Sequence, residues 1–111
     1  NANPTSVKAA IKNFEQLDLA DRSLILGDMF ELGDNALNDH YDVINIIDYK
    51  NYKNIILVGA LFSSLKVDER ILQFAHVDLL KDWLNKNPIK GSSILIKGSR
   101  GNRLERIVEC L

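Results

Sequence analysis

The chain has 111 residues, 46% hydrophobic and 26% charged, with 14 Lys plus Arg against 15 Asp plus Glu for a net charge of −1. This is ordinary globular usage, which excludes disordered and fibrous classes, and the balanced charge argues against a dedicated nucleic-acid binder. No apolar run approaches the roughly 20 residues that span a bilayer, nothing resembles a signal peptide, and the lone Cys110 fits a reducing compartment, so the composition reads as one soluble cytoplasmic domain.

The start at Asn1, with Met29 the only methionine, reads as a domain taken from a longer polypeptide. Val7, Ala10, Ile11, Phe14 and Leu17 recur at helical spacing, with Pro4 at the start and Thr5 or Ser6 available as a cap. Ser23-Leu24-Ile25-Leu26 is a continuous apolar run ending at Gly27, the pattern of a buried parallel strand. After a polar loop through Gly33-Asp34-Asn35, Leu37, Tyr41, Ile44 and Ile47 mark a helix over roughly Ala36 to Tyr49. Asn54 to Val58 repeats the buried-strand signature before Gly59, and Ile71 to Ala75 is a third, weaker strand. Leu79, Leu80, Trp83 and Leu84 place a helix over Val77 to Asn87, which Pro88 and Gly91 break. Ser93-Ile94-Leu95-Ile96 is a fourth strand, and Leu104, Ile107, Val108 and Leu111 stripe a final helix.

Apolar strands alternating with amphipathic helices predict a single α/β domain over residues 1–111, Rossmann-like, with a mostly parallel sheet covered on both faces. Ligands of such folds bind beyond the carboxyl ends of the strands. Three strands here run into glycine loops, Gly27-Asp28, Gly59-Ala60 and Lys97-Gly98-Ser99, which are expected along one rim.

The loop Lys97-Gly98-Ser99-Arg100-Gly101, read as leading into a helix N-terminus, suits an anion: two cations, a hydroxyl and free amides converge there. The alternative is a solvated glycine turn. Asp28 is equally a ligand contact and a cap for the segment after it. Met29 and Phe30 read as packing residues, Cys110 as a small packing residue, and His76 as a cap or a solvated side chain. His40, beside Asp39, is placed on the outer or loop-facing side of its helix. No P-loop, no G-x-G-x-x-G and no cluster with metal-ligand spacing is present in the sequence.

Three motifs in order carry a resemblance. Asn1-Ala2-Asn3-Pro4, then Leu26-Gly27-Asp28-Met29-Phe30-Glu31-Leu32-Gly33 with His40 downstream, then Lys97-Gly98-Ser99-Arg100-Gly101 with Arg103 and Glu105 together resemble the C-terminal domain of the Mur ligases, over essentially the whole chain. The resemblance implies a three-domain bacterial cytoplasmic enzyme of peptidoglycan synthesis. In it, ATP phosphorylates the carboxylate of UDP-N-acetylmuramoyl-tripeptide, the amine of D-Ala-D-Ala attacks the acyl phosphate, and ADP and phosphate leave. It implies that the P-loop and the Mg2+ ligands belong to the central domain, with no catalytic residue and no metal in this domain alone. Asn1 and Asn3 are then expected on the adenosine side of ATP, with the family's preceding Asp and Tyr falling before Asn1. Asp28, His40, Lys97, Ser99 and Arg100 are expected toward the amino-acid substrate in the cleft that domain closure forms. Phe30 stands where Leu is more usual, a conservative packing change. The folylpolyglutamate synthetases share the domain plan but lack the Leu-Gly-Asp-Met-x-Glu-Leu-Gly stretch. A free-standing flavodoxin-like module is a further alternative. Its receiver-like version is disfavoured by the middle strand's ending in Val58-Gly59-Ala60.

Overall fold

A computed structural model describes residues 2–111. Helix α1 (Pro4–Gln16) starts on a capping box in which Asn3, two or three residues earlier than the expected cap, accepts from the Ser6 amide while the Ser6 hydroxyl accepts from the Asn3 amide. Its stripe of Val7, Ile11 and Phe14 is buried, whereas Leu17 falls past the last turn and is exposed. Strand β1 (Arg22–Gly27) is buried at every position. Helix α2 (Ala36–Asn45) is shorter than its pattern indicated: Ile47 is buried beyond its end, Tyr49 opens a separate 3-10 turn, and Leu37 is exposed. Strand β2 (Asn54–Val58) is followed by a one-turn helix α3 (Ala60–Ser63), absent from the sequence reading. Strand β3 (Ile71–Phe74), helix α4 (Val77–Lys86) and strand β4 (Ser93–Lys97) follow as expected, and His76 caps α4 by accepting from the Asp78 amide.

The final segment differs from expectation. Leu104–Cys110 is a 3-10 helix, entered through Arg103 in the left-handed region. Its tighter winding buries Leu104 and Ile107, three residues apart, and leaves Val108 and Leu111 exposed. Cys110 packs, half-buried, against the core on this face.

The four strands are all parallel, in the order β3-β2-β1-β4. One core joins α1 and α2 to one face through Val7, Ile11, Val43 and Ile44 against Leu24, Leu26 and Leu57. The other joins α4 and the final 3-10 helix to Ile25, Ile56 and Val58. From β1 the chain winds outward through β2 to β3, then returns past the start to place β4 on the other side of β1. The strand order therefore reverses between β1 and β4. A doubly wound sheet opens a crevice at such a switch point, beyond the carboxyl ends of the strands.

The opposite end of the sheet is closed by Arg22. Its guanidinium donates to the carbonyls of Phe14 (3.0 Å), Glu15 (3.3 Å) and Leu17, satisfying the last turn of α1. Beside it the Tyr52 hydroxyl donates to Glu15 Oε2 at 2.9 Å, and burial, with that carboxylate, pushes the phenol well above the ordinary tyrosine range. No helix of the described residues is long and apolar enough to cross a membrane.

Candidate functional site

The crevice between β1 and β4 is built first by glycines. A Cβ on Gly98 would lie 2.8 Å from the Gly27 Cα, and a Cβ on Gly27 would lie 2.7 Å from the Asn102 side chain. Only glycine at both strand ends lets the two outgoing loops touch. Asn102, buried, then ties them: its Oδ1 accepts from the Asp28 amide at 3.1 Å, and its Nδ2 donates at 2.8 Å to the carbonyls of Asp28 and Ser99. The Ser99 amide donates to the Asp28 carbonyl at 3.0 Å, and the Ser99 hydroxyl accepts from the Phe30 amide at 3.0 Å.

Asp28 sits beneath this junction at 2% exposure. Its Oδ2 accepts from the Leu61 amide at 2.8 Å and its Oδ1 from the Phe62 amide at 2.9 Å, so both carboxylate oxygens cap the N-terminus of α3. Of the two readings open for Asp28, the structure displays the cap, although of α3 rather than of the segment directly after it. Gly59 permits the approach: at φ +123°, a Cβ there would lie 2.3 Å from the Asp28 Cγ. His40 corrects the expected outward placement. It is fully buried, its Nε2 accepts from the Met29 amide at 3.0 Å, and its Nδ1–H donates to the Ala36 carbonyl at 2.6 Å. An amide N–H can only donate, so these partners define the neutral Nδ1–H tautomer. The ring meets Phe62 edge-on at 4.6 Å. Asp28 and His40 thus hold the rim from below.

Above them lies a cleft of about 360 Å³. Ser99, Arg100 and Gly101 form one wall, Phe30, Glu31 and Leu32 another, and Ala2 with Asn3 the third. Asn3, whose Oδ1 is engaged with the Ser6 amide, and Arg100 therefore face one space, although the sequence reading placed them toward different ligands. Lys97, exposed at the end of β4, does not line this cleft, and Asn1 lies outside the described residues. Arg100 and Glu31 are exposed, and among the described residues neither forms an ion pair.

Phe30, a packing residue by its sequence pattern, is instead 42% exposed and divides this cleft from a smaller one of about 170 Å³ that reaches Gly59 and His76. Gly101 makes room for its ring, since a Cβ there would lie 2.4 Å from Phe30 Cε2.

The expected helix N-terminus behind the Lys97–Gly101 loop is not an α-helix. Arg100–Asn102 is a 3-10 turn, and the amides of Ser99, Asn102 and Arg103 are bonded within the junction. The donors left facing the cleft there are the exposed Arg100 guanidinium and the Ser99 hydroxyl hydrogen, a pair suited to an anion. No three His, Cys, Asp or Glu side chains gather into a metal site among the described residues. The sequence reading missed Asn102, Gly59 and Glu31 as individuals. An Asn within a glycine turn at a strand's end was the one available signal, because such side chains bond back to nearby backbone.

The chain is 36% identical over 119 residues to a UDP-N-acetylmuramoyl-tripeptide–D-alanyl-D-alanine ligase of Bacillus subtilis, a match covering all of this chain and 26% of that protein. It superposes on the MurF structure from Acinetobacter baumannii with a TM-score of 0.76 at 27% identity, covering 98% of this chain and 25% of the other. A MurF ligase from Thermotoga maritima, solved in complex with ADP, shares the fold at a TM-score of 0.76 and 20% identity. No protein-family model matches the chain. The chain spans about a quarter of the length of the curated relatives it matches.

Proposed function

Because the chain belongs to the family of UDP-N-acetylmuramoyl-tripeptide–D-alanyl-D-alanine ligases and corresponds to their C-terminal domain, we propose that it is the closing domain of a three-domain enzyme joining D-Ala-D-Ala to UDP-N-acetylmuramoyl-tripeptide. The reaction is ADP-forming amide synthesis in the bacterial cytoplasm. ATP phosphorylates the tripeptide carboxylate, the dipeptide amine displaces phosphate from the acyl phosphate, and ADP and phosphate leave. The part assigned to this domain is to carry the dipeptide, and one side of the nucleotide, to a reacting centre held by the other domains. Its sequence has no P-loop and its described residues gather no ligand set for Mg2+, and we assign both to the central domain.

The observation that carries this reading is the cleft at the switch point. Arg100 stands there without an ion-pair partner among the described residues, beside the Ser99 hydroxyl and across from Asn3. A guanidinium can hold a terminal carboxylate through two parallel hydrogen bonds. Asn3, at the α1 end of the cleft, remains the candidate for the adenosine side, with Asn1 before it. Asp28 and His40 are positioning residues for the loop that forms the opposite wall. Lys97 is assigned to the rim that meets the other domains.

The test is Arg100→Ala in the full-length enzyme. Loss of a charge-assisted bond predicts a fall of roughly ten- to a hundredfold in kcat/KM for D-Ala-D-Ala, with little change in the parameter for ATP. A loss appearing in the ATP parameter instead assigns Arg100 to the nucleotide. No change in either, in a folded variant, leaves the loop a solvated turn.

A further inference from the structure

The cleft holds two charges of opposite sign on different walls. Arg100 comes from the loop after β4 and Glu31 from the loop after β1, and neither is neutralised by an ion pair among the described residues. Glu31 is also, among the described residues, one of two other than glycine with positive φ, at +64°. That conformation suits glycine and is costly for a side chain with a Cβ. Only two residues later Gly33 adopts φ +70°. The backbone at residue 31 therefore displays a carboxylate where glycine would be the easier choice, and strain of this kind collects at ligand-binding positions.

A cleft with a guanidinium on one wall and a carboxylate on another is complementary to a zwitterion. The dipeptide of the proposed reaction is one, with a carboxylate at one end and an ammonium at the other. We propose that Glu31 receives the ammonium end of the incoming dipeptide while Arg100 holds its carboxylate, so that this domain grips the substrate by both termini. This inference rests on the ligase reading above and adds to it the residue for the second terminus. Neutral Ala2, Leu32 and Gly101 complete the walls, which suits the small apolar side chains between the charges. At about 360 Å³ the cleft has room for two small residues but not for a long peptide. The Phe30 amide adjoining Glu31 is fixed by the Ser99 hydroxyl at 3.0 Å, so the two charged walls are tied to each other. Domain closure would exclude water from the pair, raising the worth of contacts that exposure now screens.

The experiment uses the full-length enzyme with Glu31→Gln and Glu31→Gly. The glycine variant removes the carboxylate while relieving the positive φ, so a loss of function in it does not come from a disrupted loop. Steady-state rates are measured with D-Ala-D-Ala varied, alongside inhibition by N-acetyl-D-Ala-D-Ala, which keeps the carboxylate and has no ammonium. The expected result in both variants is a KM for D-Ala-D-Ala raised roughly ten- to a hundredfold, with KM for ATP and the inhibition constant of the acetylated dipeptide unchanged. An unchanged dipeptide KM in the folded variants overturns the proposal. So does a parallel weakening of the acetylated dipeptide, because the effect is then not on the ammonium. An unsubstituted enzyme that does not ligate D-Ala-D-Ala at all overturns the ligase reading, and this inference with it.

Discussion

Asp28 and Gly59 shape the rim without lining its larger cleft. The carboxylate is buried against two amides of α3, and the absent side chain at residue 59 is what lets it reach them. Gly59→Ala would drive a methyl into the Asp28 carboxylate and force φ +123° on a residue that resists it. The expected cost is roughly 2–4 kcal/mol in denaturant unfolding, combining overpacking with backbone strain. Stability within about 0.5 kcal/mol of the parent would show that the carboxylate and α3 move aside easily, and that the junction is softer than described. Asn102 belongs to the same junction, and its three hydrogen bonds to Asp28 and Ser99 couple the loops after β1 and β4 into one unit. Charge alone would have singled out Lys97 and Arg100. The clasp that holds Arg100 in place is uncharged, which is why a reading by residue chemistry passed over it.

At the scale of elements, the buried strands were legible because a strand covered on both faces must be apolar at nearly every position, as Leu24, Ile25 and Leu26 are. Helices were legible through their interior stripes, as Val7, Ile11 and Phe14 of α1 and Leu80 and Leu84 of α4, and less so where apolar residues continued past the helix end. Ile47 kept the helical spacing of α2 but is buried from a loop, and Val108 and Leu111 kept spacing that a 3-10 winding does not follow. The one-turn α3 carries too few residues for any periodicity. The order of the sheet was not legible either, since four similar apolar runs do not say which lies beside which. That order places the cleft between β1 and β4, so the site's location came from topology and its residues from the motifs. Arg22 was a third omission, a charge inside a strand that serves as the cap of a helix. Arg22→Met should leave the α1 carbonyls unsatisfied and cost about 2–3 kcal/mol, and Arg22→Lys should recover little, because an ammonium lacks the planar fork. Equal stability of the Met variant by chemical denaturation would mean that water caps the helix equally well.

At the scale of the whole molecule, the proposed function gives this domain recognition and leaves the phosphate chemistry to other domains. The two cores, one on each face of the sheet, make a rigid platform. The cleft stands at its edge, with Arg100 and Glu31 on walls joined by Ser99 and Asn102. The central claim is that this platform serves the addition of D-Ala-D-Ala to a nucleotide-linked tripeptide. The most direct measurement is mass-spectrometric detection of product from the full-length protein given ATP, Mg2+, UDP-N-acetylmuramoyl-tripeptide and D-Ala-D-Ala, with ADP followed in parallel. The account predicts UDP-N-acetylmuramoyl-pentapeptide and ADP in equal amounts, with the 111-residue chain alone forming neither. Absence of pentapeptide from the active full-length protein, or ADP formation by the isolated chain above background, would contradict it.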